Sequence, residues 1–326
     1  MPSLQNIAMC PNCASIKLSW HKTAVSCPDC LCEFQREAEF VDFLENKLLN
    51  KLEIKALEVW GADLHATAMS APAHYVQIQS LYPDVWQQAV KGNVLEIGCG
   101  SGTDTIHLSK LNESISLFSF DLGSNVAGLS KLLKTNKNTT VFRASALQIP
   151  IKNETIDMVY SFGVFHHTRN PEKCFEEAYR VMNKKGVLFF YLYSAHEDNP
   201  IKYAGVFLEN ELMHTLAFIP EFLHKPFLFI LSISCLLLFS WPAQLLRVFG
   251  FVSISKKFPM FWGTTPASII PDLKDRLLAP VNHRFKLKDL KNLIKSCLFS
   301  EVHIKKHLQD FLDIALSKCV YLYHIH

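Results

Sequence analysis

Three glycines in five residues, Gly98, Gly100 and Gly102, stand between an apolar run, VLEI, and a helix-like stretch that starts near Thr103. Such a loop lets the backbone turn tightly and approach a ligand closely, and the helix behind it aims free N–H groups at whatever binds. A dinucleotide fingerprint, G-x-G-x-x-G, would need glycine where Thr103 stands. Glu96, just before the loop, is also out of place there, because a carboxylate repels a pyrophosphate and attracts an ammonium group. Asp121 ends the next strand-like run, ISLFSFD, where an acid can accept both hydroxyls of a ribose. Two acids and a bare peptide bend thus suit a ligand that carries an ammonium group and a ribose. The bland alternative is a sheet whose loop binds nothing, but no shared packing reason would bring these residues together.

A second cluster is made of thiols. Cys10-x2-Cys13 and Cys27-x2-Cys30 are separated by 13 residues. Two such pairs supply four thiolates to a tetrahedral zinc, a closed shell that holds a fold and does no chemistry. Cys32 competes with Cys30 as fourth ligand, and redox-active or free cysteines are the alternative reading.

These groups need a scaffold. The chain has 326 residues, 49% hydrophobic and 19% charged, which suits one main packed domain with additions. A net charge of +3 is too small to indicate a nucleic-acid binder. The start, MPSLQNIAMCPNC, has no cationic region followed by an apolar run, so no secretory signal is read, and paired cysteines without export point to a reducing cytoplasm. Phe40 to Val59 carries apolar residues at helical spacing and predicts a connecting helix, whereas Gly61 to Trp86 reads as irregular, with a break at Ser70 to Pro72. From Asn93, strands (VLEIG, ISLFSFD, VFRAS, IDMVYSFGVF, GVLFFYLYS) alternate with helices (104–111, 125–133, 171–182), which predicts a parallel sheet. After Ser194 the alternation stops for about 85 residues, then resumes with a helix over 286–296 and two strands, EVHIK and IALSKCVYLY.

The ordered set VLEIGCGSG…FDLGS…RASALQIPIKNETIDMVYSFGVFHHTRNPEKCFEEAYRVMNKKGVLFFYLY resembles the class I S-adenosylmethionine-dependent methyltransferases, in the style of the small-molecule group that includes quinone C-methyltransferases. CPNC…CPDC…FVDFL is similar to zinc ribbons fused ahead of bacterial methyltransferases. The resemblance implies an α/β fold, a Rossmann-like seven-stranded methyltransferase sheet with an N-terminal zinc ribbon and a helical apolar insertion. It implies a zinc ribbon over 1–45, a helical linker and N-terminal cap over 46–92, the Rossmann-like core over 93–194, the apolar cap over 195–280 and the rest of the core over 281–326.

By position, the resemblance implies that Gly98, Cys99, Gly100 and Gly102 back the methionine part of S-adenosylmethionine, with Glu96 near its amino group. Asp121 takes the ribose, Leu122 flanks the adenine, and Ser145, Ala146 and Phe162 complete the cofactor site. The family usually has Asp where this chain has Ser145, a weaker acceptor for the adenine amine. His166 and His167 follow the fourth strand, where the acceptor is expected. An imidazole there can remove a proton from a hydroxyl, thiol or activated carbon, or simply close the pocket. His283 and Arg284 lie in LLAPVNHRF, which resembles a segment bordering the substrate pocket, or else forms a surface turn.

The implied activity is methyl transfer to a small, apolar or lipid-like acceptor, with structural zinc beside the cofactor. Two other readings stay open: an RNA methyltransferase that docks RNA on the ribbon, and a non-catalytic cofactor-binding scaffold. Residues 1–60 hold six Lys and Arg against eight Asp and Glu, which disfavours phosphate binding.

One further stretch bears on location. Pro226 to Leu246 carries no charge over 21 residues, long enough to read as a membrane span. A single crossing would separate the first five strands from the last two, which belong to one sheet. Residues 200–265 therefore either cap the pocket as helices bent or broken at Pro226 and Pro242, or dip into one leaflet as a monotopic element through residues 220–262. Trp241 and Trp262 would suit an interface.

Overall fold

A computed structural model describes residues 4–44, 49, 51–60, 73–112, 114–197, 199–216, 218–261, 263–297, 299, 301–306 and 318–324. It divides into two compact units, one of Met1–Leu192, Lys291–Lys305 and Val320–His326, the other of Tyr193–Leu290 and Lys306–Cys319.

The first unit grows from short apolar runs that bury both faces. β5 (Asn93–Ile97), β6 (Ser116–Asp121), β7 (Thr139–Arg143), β8 (Ile156–Phe162) and β9 (Met182–Tyr193) form the predicted strands. Val94, Leu95 and Ile97 on β5 and Leu188, Phe189 and Phe190 on β9 are fully buried, as the near-continuous apolar runs of a parallel sheet must be. Every pairing among these five strands is parallel. With β10 (Glu301–Lys306) and β11 (Lys318–His324) the order is β7-β6-β5-β8-β9-β11-β10, the seven-stranded sheet expected. The chain winds outward from β5 through β6 to β7 and then returns to β8 on the other side of β5. Open α/β sheets bind ligands outside the carboxyl ends of the strands at such a reversal, here β5 and β8.

The cysteine module joins this sheet directly. Its strands, β1 (Ser19–Trp20), β2 (Ala24–Ser26), β3 (Glu33–Glu37) and β4 (Phe40–Asp42), extend the same sheet to eleven strands. β4 runs parallel to β7 through Asp42 opposite Arg143, and the Phe43 N–H donates to the Arg143 carbonyl at 2.9 Å. Arg143, 5% exposed, donates to Asp42 Oδ2 at 2.9 Å. Phe43 packs between Phe34 and Phe142, with ring centroids at 5.3 and 6.0 Å. The open edge of β7 thus takes the apolar side chains assigned above to a helix. That helix is shorter than predicted: Phe40–Asp42 is strand, and the helix is Lys51–Trp60. Of the 61–86 stretch, the described residues 73–86 are more regular than expected, with helices Tyr75–Leu81 and Pro83–Ala89, and Tyr75 stacks on buried Trp86 at 5.2 Å. Ser70 to Pro72 lie outside the described residues.

The second unit is helical. Its core joins Leu216 of helix Pro200–Leu216 and Leu228, Cys235 and Leu236 of the apolar stretch to Ile269, Leu273 and Leu277 of helix Pro266–Leu277. That last helix starts with a capping box, Thr265 accepting from the Ser268 N–H and Ser268 returning the bond. Pro226 and Pro242 do not break the apolar helix, which runs from Glu221 to Val248. A π turn over Leu236–Ser240 precedes Pro242 instead, a local widening that accommodates a ring without an N–H. Trp262 lies outside the described residues.

Candidate active site

The glycine loop leaves β5 and enters helix Thr103–Leu111. Its three glycines have different jobs. A Cβ at Gly98 would sit 2.2 Å from Val164 Cγ2 and one at Gly102 2.4 Å from Leu129 Cδ1, so both are required by packing as well as by positive φ. Gly100, at φ 51°, faces open space with nothing within 4 Å of such a Cβ. Gly163, at the end of β8, is open in the same way. The Gly98 and Cys99 N–H groups both donate to the Phe120 carbonyl, at 2.8 and 3.0 Å, pinning the loop to β6. Cys99 is buried, and burial pushes its thiol well above the ordinary range, so it stays a neutral wall.

Asp121 closes the loop from the end of β6. Its Oδ2 accepts from the Gly100 N–H at 2.9 Å and its Oδ1 from the Gly123 N–H at 2.8 Å. Each carboxylate oxygen keeps a further lone pair for a ligand hydroxyl. Leu122 is half-buried, and its carbonyl accepts from Arg143 Nε at 2.9 Å. Ser145 Oγ accepts from its own turn, from the Leu147 N–H at 3.2 Å, and Ala146 beside it is half-buried.

Glu96 sits behind the loop among hydroxyl groups. The residue is 2% exposed, and its Oε2 accepts from Thr105 Oγ1 at 2.7 Å and Ser119 Oγ at 2.8 Å. Burial, with Asp104 nearby, pushes its carboxyl up to about 8, so at neutral pH it is mostly uncharged. Glu96 therefore bolts β5 to β6 and to the following helix and presents no fixed negative charge to a ligand.

The structure adds a group that the sequence pattern did not flag. Phe162, at the end of β8, stacks on Tyr191 at 4.1 Å and on His74 at 4.8 Å. The His74 backbone N–H donates to Asp104 Oδ1 at 2.6 Å, and its Nδ1 lies 3.4 Å from Asp104 Oδ2. Asp104 is 5% exposed, and Tyr160 donates its hydroxyl to the same Oδ2 at 2.5 Å. A buried carboxylate thus holds an imidazole at the carboxyl edge of the sheet. Asp104 could have been noticed as an acid in the first turn after the loop; His74 lies in a stretch with no periodicity to mark it.

The paired histidines occupy the short turn Phe165–His167 after β8. Their rings are 4.2 Å apart; His166 is 0% exposed and His167 half-buried. His283 and Arg284 belong to the second unit. The His283 ring lies 6.3 Å from that of Phe285. Arg284 is committed internally: it pairs with Glu209 and lies 4.4 Å over the Tyr193 ring. Glu209 also pairs with Arg276, and although burial would raise its carboxyl, the two guanidiniums hold it below the ordinary value.

In the N-terminal module, one sulfur each from Cys10, Cys13, Cys27 and Cys30 lie within 4.8 Å of one another, close enough to share a metal ion. Cys32 sits beside this set, its sulfur 3.4 Å from that of Cys30 and accepting from Asn12 Nδ2 at 2.8 Å.

Residues 95–190 match the family model described as a methyltransferase domain. This segment of the chain carries a methyltransferase domain. The match begins inside β5 and ends inside β9, so the domain includes the glycine loop, Asp121 and the histidine turn. Over 156 residues the chain is 24% identical to "Probable tRNA methyltransferase 9B" of Mus musculus, covering 45% of this chain and 33% of that one. Over 128 residues it is 23% identical to the malonyl-acyl-carrier-protein O-methyltransferase of Bacillus cereus, covering 39% of this chain and 46% of that one. The chain thus spans less than half the length of either relative. Among solved structures, a SAM dependent methyltransferase from Aquifex aeolicus is 12% identical, with 80% of this chain and 98% of that chain covered and a TM-score of 0.42.

Proposed function

We propose that this protein binds S-adenosylmethionine at the methyltransferase domain and transfers its methyl group to a small acceptor with a large apolar part. The observation that carries the reading is Asp121, set at the end of β6 with its carboxylate bonded to Gly100 of a loop that leaves open space above it. The residues fit the cofactor: a side chain at Gly100 or Gly163 would fill the space that a ligand needs. Asp121 takes the two ribose hydroxyls, Leu122 flanks the adenine, and Ser145 accepts from its amino group. When bound, S-adenosylmethionine supplies an electron-poor methyl carbon that an acceptor nucleophile attacks in line, leaving S-adenosylhomocysteine. Phe162, stacked between Tyr191 and His74, has both ring faces covered and holds the His74 imidazole in place at the end of β8. His74, fixed by Asp104 and with its side chain 37% exposed, takes the acceptor's proton at its ring nitrogen. His167 is the alternative base; His166, wholly buried, anchors the turn. The four thiols hold a structural zinc that stays out of the transfer.

RNA is the second reading, favoured by the relative whose name refers to tRNA. Against it stands the acidic N-terminal segment. The deciding experiment is consumption of S-adenosylmethionine by the full chain with a cell extract. Turnover that survives nuclease treatment supports the small acceptor. Turnover abolished by nuclease supports RNA, and no turnover with either extract supports a non-catalytic scaffold.

A further inference from the structure

Helix Glu221–Val248 is among the described residues the one helix long and apolar enough to cross a membrane, yet only 22% of its most apolar window is buried. One side of it is spent on the second unit: Leu228, Ser232, Cys235, Leu236, Ser240 and Ala243 are buried, with Leu228, Cys235 and Leu236 packed on helix Pro266–Leu277. The other side ought to be polar if it faced water. Instead it presents Phe229 (50% exposed), Ile230 (65%), Leu237 (54%), Trp241 (50%) and Leu245 (59%). At about 100° per residue, the steps of seven and four residues from Ile230 to Leu237, Trp241 and Leu245 keep these side chains on one side of the helix. The result is a continuous apolar face along a helix of about 42 Å.

Charge is placed at the margins of this face and nowhere within it. Over residues 221–265 there are four Lys and Arg, namely Lys225, Arg247, Lys256 and Lys257, against one acid, Glu221. Lys225 borders one end of the apolar run and Arg247 the other. Apolar stems with cationic heads at the rim match a surface that is greasy inside and anionic at its boundary. A second copy of this chain offers no such match, because self-pairing of the segment would set cation against cation. A crossing is excluded by the sheet: β9 precedes the helix, β10 and β11 follow it, and all three lie in one sheet.

We propose that the outward face of helix Glu221–Val248 docks in the plane of an anionic lipid surface, with Lys225, Arg247, Lys256 and Lys257 on the headgroups. The helix lies on one leaflet and both of its ends stay on the same side. The inference is independent of the methyl-transfer reading and fails or stands separately from it.

Flotation of the full chain with vesicles tests it, using phosphatidylcholine alone and phosphatidylcholine mixed with phosphatidylglycerol. The chain is expected to float with the mixed vesicles and about tenfold less with the neutral ones. The double variant Leu237→Glu, Leu245→Glu, which touches only exposed positions, is expected to lose vesicle binding by about a hundredfold. A second variant, Lys256→Glu with Lys257→Glu, leaves the apolar face untouched and should lose only the preference for anionic lipid. Absence of flotation with either vesicle would overturn the proposal, as would binding that both variants retain. A lipid-free dimer that the Leu237→Glu, Leu245→Glu pair dissociates, without flotation of the unsubstituted chain, would assign the face to self-association instead.

Discussion

At the scale of single residues, the site is governed by where each acid is placed and what it is bonded to. Glu96 and Asp121 look alike in the sequence, one on each side of the loop, but Glu96 is sealed among hydroxyls while Asp121 stands half-buried at a strand end. The residue types and order were legible because loop chemistry constrains them; the loss of charge at Glu96 was not, because it depends on Thr105 and Ser119 arriving from two other elements. Its pH consequence has a definite sign. A carboxyl raised from 4.5 to about 8 on folding favours the folded state fully below pH 4.5, and that advantage is lost as pH rises to about 8. Glu96→Gln removes the titration while keeping an oxygen acceptor for both hydroxyls. Its melting temperature should therefore gain on the unsubstituted chain between those pH values, and parallel melting curves across that range would contradict the assignment. His74 was invisible in the sequence because its partner lies thirty positions away, in the helix after the loop. His74→Gln should lower kcat about 100-fold with S-adenosylhomocysteine affinity unchanged, and activity should not recover with pH. An unaltered pH-rate profile would remove His74 as the base and return attention to His167.

Elements behave differently. The five parallel strands of the domain were legible as apolar runs with a fixed alternation, because a strand buried on both faces leaves no room for polar residues. The junction of the cysteine module with β7 was not legible. The same side chains, Phe40 and Phe43, satisfy helical spacing and an edge strand equally well, and the choice is made by Arg143 and Phe142 a hundred residues later. The docked module implies that the thiols and the sheet edge are coupled. We expect one zinc per chain by elemental analysis, bound in a closed four-thiolate shell. Chelation should raise amide exchange in β2 and β3 and carry through β4 to β7, while β5 and β8 stay protected. A chain that binds no zinc, or whose exchange is indifferent to chelator, would mean that the cysteines serve another end. Arg284 and Glu209 offer a comparable case in the helical unit. Arg284→Ala leaves Glu209 with Arg276 as its guanidinium partner and should cost about 1–3 kcal/mol in denaturant unfolding, whereas an exposed pair would cost under about 1 kcal/mol.

In the whole molecule the cysteine module extends the sheet of the methyltransferase domain to eleven strands, and a helical unit carries an unusually apolar helix. The sequence made the domain legible through motif order and left the helix ambiguous, since an uncharged run reads alike whether it is buried, inserted or lying on a surface. Only the distribution of exposed and buried positions along Glu221–Val248 separates those cases. Everything chemical depends on the open loop and Asp121. Calorimetric titration of S-adenosylhomocysteine into the full chain tests that dependence most directly. The account predicts one site per chain, weakened at least about tenfold by Asp121→Ala, which removes both hydroxyl acceptors. No binding to the unsubstituted chain, or equal affinity in the variant, would contradict it.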